Sequence, residues 1–212
     1  MLLRDIIYHA IREAILTCEY RPGQELREQI LAERYRVSRS PIRDSLLRLE
    51  REDLVTVMPR QGYQVRPIST SDVENLFGFH LLVEPACAAA AARVEGPASL
   101  ALDQFRGFAD EDKDETSFTG HNKSFHRAVA GLSGSLRMAA VGLHLTEQLE
   151  RLVQVSVRVF NHEQVRDSCL QHDAIIDAIQ VHDAECAGRL SYEHAAGAHA
   201  RVALALQQVT AG

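Results

Sequence analysis

Apolar residues spaced three and four apart run through almost the whole chain, and a polypeptide patterned that way has to fold as packed helices. The first stripe is Leu3, Ile7, Ala10, Ile11, Ala14 and Ile15. Arg21-Pro22-Gly23 ends it; Ile30, Leu31 and Arg34 fall on a second short helix, and Ser38 stands where an N-cap opens a third running through Leu49. Pro41 fits the first turn of that helix, where backbone N–H groups have no intrahelical acceptor. Two short runs, Leu54-Val55-Thr56-Val57 and Tyr63-Gln64-Val65, read instead as strands, and Pro59-Arg60-Gln61-Gly62 between them predicts a hairpin with a basic tip. From Ser71 onward no strand pattern occurs, and helices are predicted at 72–94, near 98–110, and at 116–131, 135–160, 162–180 and 183–209.

The expected fold class is therefore mainly α: an N-terminal winged helix-turn-helix followed by an antiparallel all-helical bundle of about six helices. Charge divides the chain in the same place. Residues 1–70 carry 12 arginines, no lysine and 10 acidic residues, net +2, whereas residues 71–212 carry 11 basic and 19 acidic residues, net −8. A total of −6 excludes a uniformly basic nucleic-acid coat protein, so any DNA-binding surface is local. Nine of the ten histidines follow residue 70, which assigns titratable or metal chemistry to the second part. Arg66-Pro67-Ile68-Ser69-Thr70-Ser71-Asp72 joins a proline to a run of cap residues. The predicted domains are 1–66 and 72–212 with a linker at 67–71.

No apolar run approaches the roughly 20 residues that span a bilayer, and Met1-Leu2-Leu3-Arg4-Asp5 lacks the basic-then-apolar order of a signal peptide, so a cytoplasmic protein without a membrane partner is expected. Cys18, Cys87, Cys169 and Cys186 form no CxxC pair and read as reduced, mostly buried thiols. Glu111-Asp112-Lys113-Asp114-Glu115 reads as a solvated loop with no site.

The third helix begins Ser38-Arg39-Ser40-Pro41-Ile42-Arg43. Arg39 and Arg43, four apart, share a face from which a guanidinium can pair with guanine or clamp a phosphate, and Ser38 and Ser40 can bond phosphate oxygens. Ile42, Leu46 and Leu49 are predicted to point inward. Arg60 beside Gly62 gives the wing a basic tip that can approach a neighbouring groove. Arg48 and Arg51 read as ordinary solvated arginines.

This stretch resembles the N-terminal winged helix of the GntR superfamily of bacterial transcription regulators. The resemblance is carried by Ile15-Leu16, Pro22-Gly23, Leu26-Arg27-Glu28, Leu31-Ala32-Glu33, Val37-Ser38-Arg39-Ser40-Pro41-Ile42-Arg43-Asp44-Ser45-Leu46, Leu49, Leu54-Val55 and Gly62. It implies DNA contacts at Ser38, Arg39, Ser40, Arg43, Gln61 and Gly62, and at Gln29 on the preceding helix. Cys18 departs from the pattern, standing where that family usually has a glycine that ends a helix in the left-handed conformation.

In the acidic part, Phe118, Asn122, Phe125, Val129 and Leu132 share one helix face, with His126 four residues from Asn122. His172 lies on the stripe Val165, Ile176, Ile179, and His194 on the stripe Leu190, Ala198, Val202. Both stand 11 residues from Asp183, in the turn between the last two helices. At equal depth, about 16 Å from that turn, they should face each other. Spacing alone leaves two readings open: core histidines with hydrogen-bond partners, or ligands to a borderline divalent cation such as Zn²⁺, Ni²⁺ or Mn²⁺.

This part resembles the helical FCD ligand-binding domain of the FadR subfamily on Asn122-x-Ser-Phe-His126, Gln171-His172-x-x-Ile175 and Ser191-Tyr192 ahead of His194, and six expected helices rather than seven resemble its VanR-type branch. In that domain an Asp and three His hold a metal that a small carboxylate effector helps to coordinate, which implies Asn122, His126, His172 and His194 as the ligands here. Asn122 stands where Asp is usual, and a neutral amide oxygen weakens metal binding while raising the site's attraction for an anion. His80, in Phe79-His80-Leu81-Leu82-Val83-Glu84, stands where an effector-facing Arg is usual, and His121 is a candidate substitute ligand beside the effector.

The resulting expectation is a homodimeric regulator, not an enzyme, whose winged helices read a short palindromic double-stranded operator under control of the effector. The alternatives are a metal-dependent hydrolase and a metal-responsive regulator using the same histidines. The hydrolase reading lacks support, because the sequence shows no HExxH and no Glu placed beside the three histidines.

Overall fold

A computed structural model describes residues 3–108, 115–157 and 162–210 and divides the chain into two compact units, Met1–Ser69 and Thr70–Gly212. The fold is mainly helical with one small sheet. The first unit contains α1 (Leu3–Leu16), β1 (Glu25–Leu26), α2 (Glu28–Tyr35), α3 (Arg39–Arg51), β2 (Val55–Met58) and β3 (Gly62–Val65). Its core gathers Ile11, Ile15, Ile42, Leu46, Leu49 and Val65, all fully buried. The inward face expected for the third helix is therefore the observed one. α2 stops where Arg36 takes a left-handed conformation, φ 55°, and the Val37 N–H bonds back to the Ala32 carbonyl at 3.0 Å. That short turn sets α3 across α2.

β1 was not foreseen. It adds an antiparallel strand to the hairpin, pairing Glu25 with Gln64 and Leu26 with Tyr63 in the order β1-β3-β2. A ladder of two residues is too short to show an alternation in the sequence. Cys18 sits at φ 56° and is 2% exposed, so the left-handed position usually held by glycine is kept by a residue with a buried thiol.

The second unit contains α4 (Thr70–Ala92), α5 (Glu115–Gly131), α6 (Leu136–Val157), α7 (His162–Gln180) and α8 (Ala184–Thr210). Helix formation begins at Thr70, two residues earlier than expected, which leaves a shorter connection than 67–71. The segment expected as a short helix near 98–110 is a 3₁₀ helix, Pro97–Phe105, opened by Gly96 at φ 96° with Pro97 in its first turn. The acidic run from Glu111 to Asp114 lies outside the described residues, as do positions 158–160 of the helix expected to end there.

The bundle core joins Ala88, Ala91 and Ala92 of α4 with Phe125 and Val129 of α5, Ile175, Ile176 and Ile179 of α7 and Ala187 of α8. α4 corrects one expectation. It is long enough and apolar enough, at mean hydropathy 1.2, to pass as a membrane span by length and composition, although 39% of that window is buried inside the bundle. Scattered polar residues such as Asn75, His80 and Glu84 hide this in a search for unbroken apolar runs.

Candidate functional site

The DNA-facing candidates sit on the outer face of α3 and the wing. Ser38 occupies the N-cap position, yet its hydroxyl makes no capping bond. Arg39, Ser40 and Arg43 are exposed while Ile42, between them, is fully buried. α2 supports both arginines: Arg39 Nη2 donates to Gln29 Oε1 at 3.0 Å, and Arg43 donates through Nε and Nη2 to the two oxygens of Glu28 at 2.7 and 2.8 Å. The hydrogen bond from Arg43 holds the Glu28 carboxyl below the usual carboxylate range. Glu28 was not among the expected site residues; its partner lies 15 positions away and across a turn.

At the wing tip Arg60 and Gln61 are exposed, Arg60 in a left-handed conformation at φ 65°. Gly62 has a use the sequence did not reveal. Its φ is +107° and a Cβ there would lie 2.9 Å from the Leu26 carbonyl oxygen, so glycine is required for β1 to pair. Arg48 does more than the solvated arginine expected of it: its guanidinium lies 3.6 Å from the centroid of the Tyr8 ring, anchoring α3 on α1.

In the second unit, α5, α7 and α8 bring His126, His172 and His194 together. One ring nitrogen from each lies within 4.8 Å of the others, and all three residues are buried. The Nε2 atoms of His172 and His194 stand 3.3 Å apart. Two nitrogens bound tetrahedrally to one zinc at about 2.0–2.1 Å would be about 3.4 Å apart, so the spacing suits a shared cation. The remaining nitrogens fix the rings: His126 Nδ1–H donates to Glu84 Oε1 at 2.7 Å and His194 Nδ1–H to Gln171 Oε1 at 2.9 Å, which turns each Nε2 lone pair toward the cluster. Burial, reinforced by the neighbouring His194 and His126, pushes the His172 pKa well below its usual value; burial, then His126 and Arg201, does the same to His194. Neutral imidazoles are the form that binds a metal.

A cavity opens beside this cluster, lined by Asn122, His126 and His194 together with His80, Lys123 and Arg201. His172 is 0% exposed and stands behind the lining.

A model of the gntR family of bacterial regulatory proteins matches residues 3–65, and a model of the FCD domain matches residues 75–197. The chain belongs to the GntR family and carries an FCD domain. Among relatives of this GntR protein, an uncharacterized HTH-type transcriptional regulator in an unstable DNA locus of Streptomyces ambofaciens is 31% identical over 180 residues, covering 80% of this chain and 76% of that one. An uncharacterized HTH-type transcriptional regulator of Agrobacterium vitis is 32% identical over 90 residues, 42% of this chain and about half, 53%, of the relative. The solved structure of E. coli McbR/YncC superposes with TM-score 0.77 over 99% of both chains at 17% identity, a likeness of fold alone. The protein is a transcriptional regulator of this family; its families and relatives are regulators rather than enzymes.

Two site residues of the FCD domain differ from expectation. Glu84 of α4, 2% exposed, lies between His126 and His80, whose Nε2 is 3.4 Å from it, so a Glu does stand beside the histidines. Burial disfavours its charge, but the charges and hydrogen bonds of His126 and His80 outweigh burial and hold its carboxyl below the usual range. Its oxygen is spent on orienting a ring rather than positioned to activate water, and the 42 residues separating it from His126 leave no local signal. His121 is not brought into the cavity lining: its ring stacks on Phe108 at 3.9 Å and lies edge-on to Phe105, with the His172 ring at 5.9 Å. Aromatic packing between α5 and the 3₁₀ segment takes that side chain.

Proposed function

We propose that this GntR protein binds a short palindromic operator as a homodimer, with one α3 in the major groove of each half-site and the wing tips on the flanking backbone. Arg39, Arg43 and Gln29 read or position on the groove; Ser38, Ser40, Arg60, Gln61 and Gly62 meet the backbone. α3 spans about 20 Å from its 13 residues. Such a protein works in the cytoplasm, where the operator is.

The FCD domain takes a small carboxylate effector at a divalent metal, Zn²⁺, Ni²⁺ or Mn²⁺, held by His126, His172 and His194 with Asn122 beside them. His80 faces the effector from α4. The metal supplies a Lewis-acidic seat for a carboxylate oxygen. His126, His172 and His194 supply ring nitrogens, Glu84 and Gln171 hold two of the rings in register, and Asn122 leaves the site's positive charge undiminished for the anion. The observation that carries the reading is the 3.3 Å approach of the His172 and His194 Nε2 atoms in a fully buried position, beside a cavity.

The DNA half is tested by selecting duplexes from a random pool with the full chain and measuring the selected sequence by fluorescence anisotropy at moderate salt. Arg39→Ala is expected to lose about 1–3 kcal/mol of binding with the helical unit still folded. Unchanged affinity overturns the assignment of α3 as the reading helix.

A further inference from the structure

The family resemblance implies a DNA contact at Gln29, yet both ends of its amide are engaged by the protein itself. Gln29 Nε2 donates to Glu33 Oε1 at 3.2 Å, and Gln29 Oε1 accepts from Arg39 Nη2 at 3.0 Å. Gln29 and Glu33 stand four apart on one face of α2, and Arg39 follows ten residues after Gln29 in the first turn of α3. The backbone that carries the three is fixed from beneath. Leu31 and Ala32 of α2 are buried, the Val37 N–H returns to the Ala32 carbonyl at 3.0 Å, and Ile42 is fully buried under α3.

The chemistry of the three groups leaves the amide one orientation. A carboxylate only accepts and a guanidinium only donates, so the NH2 end must face Glu33 and the oxygen must face Arg39. A carboxamide suits both neighbours at once: Glu at this position would meet Glu33 with like charge, and Lys or Arg would meet Arg39 with like charge. Glu33 thereby aims the acceptor that receives Arg39. The two arginines of α3 are held differently as a result. Arg43 meets a carboxylate through two donors, whereas Arg39 meets a neutral oxygen through one. That bond takes one N–H of the five a guanidinium carries and leaves a two-pronged edge able to pair with guanine O6 and N7. All three side chains are exposed, where such bonds add little to folding stability. Their use is in orientation, because a long side chain held in place before docking loses less rotamer freedom on binding.

From this chain of contacts we infer that Gln29 is a positioning residue: aligned by Glu33, it holds the Arg39 guanidinium toward its base pair and does not itself read a base. The inference rests on the reading of α3 as the DNA-reading helix. Reading an adenine would take both the donor and the acceptor of the amide, the two ends that Glu33 and Arg39 occupy.

The test uses the full chain and the duplex it selects from a random pool, with each base pair of a half-site replaced in turn and binding read by fluorescence anisotropy at moderate salt. Arg39→Ala is expected to flatten the preference at one base pair. Gln29→Met, which keeps the length and removes the acceptor, is expected to reduce the preference at that same base pair about three- to tenfold, the scale of one lost hydrogen bond. Added to Arg39→Ala, it should cost nothing more. Glu33→Gln keeps an oxygen for the Gln29 NH2 and is expected to retain the preference, whereas Glu33→Ala lowers it severalfold. Thermal melting should match the unmodified chain in every variant. Loss of preference at a different base pair, or a further loss when the Gln29 and Arg39 substitutions are combined, assigns base reading to Gln29 and overturns the inference, as does a Gln29→Met chain with every preference intact. Equal preferences in the two Glu33 variants overturn the aligning role of Glu33. If Arg39→Ala alters no base preference, or no duplex is enriched by the unmodified chain, the reading of α3 falls and the inference with it.

Discussion

Arg43 holds both carboxylate oxygens of Glu28 at 2.7 and 2.8 Å, so of the two arginines that α2 engages on the outer face of α3, this one is bound to a carboxylate. A guanine or a phosphate met by Arg43 would be taken through the guanidinium donors that do not face Glu28, or in exchange for it, and either way Glu28 would lie close to the polyanion. The pair orients the fork, and on the proposed DNA reading it is expected to disfavour casual contacts with a duplex.

Removing the charge should loosen that discrimination. Glu28→Gln is expected to raise affinity for an unrelated duplex severalfold while changing operator affinity less, read by anisotropy on both duplexes across a salt series. An unchanged ratio of the two affinities counts against a discriminating role for Glu28.

Glu84 should act on the metal through His126. Outer hydrogen-bond partners of ligating histidines typically contribute 10- to 100-fold to metal affinity. Glu84→Gln keeps an oxygen for the Nδ1–H but loses the charge, and competition against a chelating dye is expected to show metal affinity about tenfold lower with the melting profile of the first unit unchanged. Equal affinity would place Glu84 outside the metal site.

The face of α3 that points inward and the meeting of His172 with His194 were both legible in the sequence, and for one reason. Each depends on position along a single regular helix or on two helices leaving a common turn, where rise per residue converts spacing into distance. Glu84, Arg201 and the stacked ring of His121 were not legible as they stand. Their positions follow from which side chains pack between helices far apart in the chain, and a period carries no information on that. β1 was missed because two residues are shorter than one full alternation of a strand, and the nine-residue 3₁₀ segment was read as an ordinary helix because a period of 3.0 and one of 3.6 barely diverge over so short a stretch.

Gly62 is expected to be intolerant of substitution for reasons of pairing as well as backbone. Gly62→Ala meets the Leu26 oxygen at 2.9 Å and keeps a φ of +107°, so the first unit should lose about 1–3 kcal/mol by chemical denaturation. A loss below about 0.5 kcal/mol would show that β1 and β3 relax freely around a Cβ.

Acid should destabilise the metal-free FCD domain earlier than carboxylate protonation explains. His172 and His194 have folded pKa values below their unfolded value of about 6.5, so below that pH the unfolded chain binds protons that the folded one does not. Their stabilising contribution is complete above pH 6.5 and is lost as pH falls toward the folded values, at up to about 1.4 kcal/mol per pH unit for each ring. Glu84, held below its ordinary value of 4.5, adds a further loss only under that pH. Melting of the chelator-treated chain should fall between pH 7 and 5, and a flat profile there would contradict buried neutral imidazoles.

The central claim, that the histidine cluster governs a DNA-reading head, is tested most directly by operator affinity of the full chain with and without chelator, in the unmodified protein and in His172→Ala with His194→Ala. The account predicts that metal and a bound small acid together shift operator affinity of the unmodified chain, that chelator abolishes the shift, and that the double variant shows none. Operator affinity that responds identically in both proteins would contradict it.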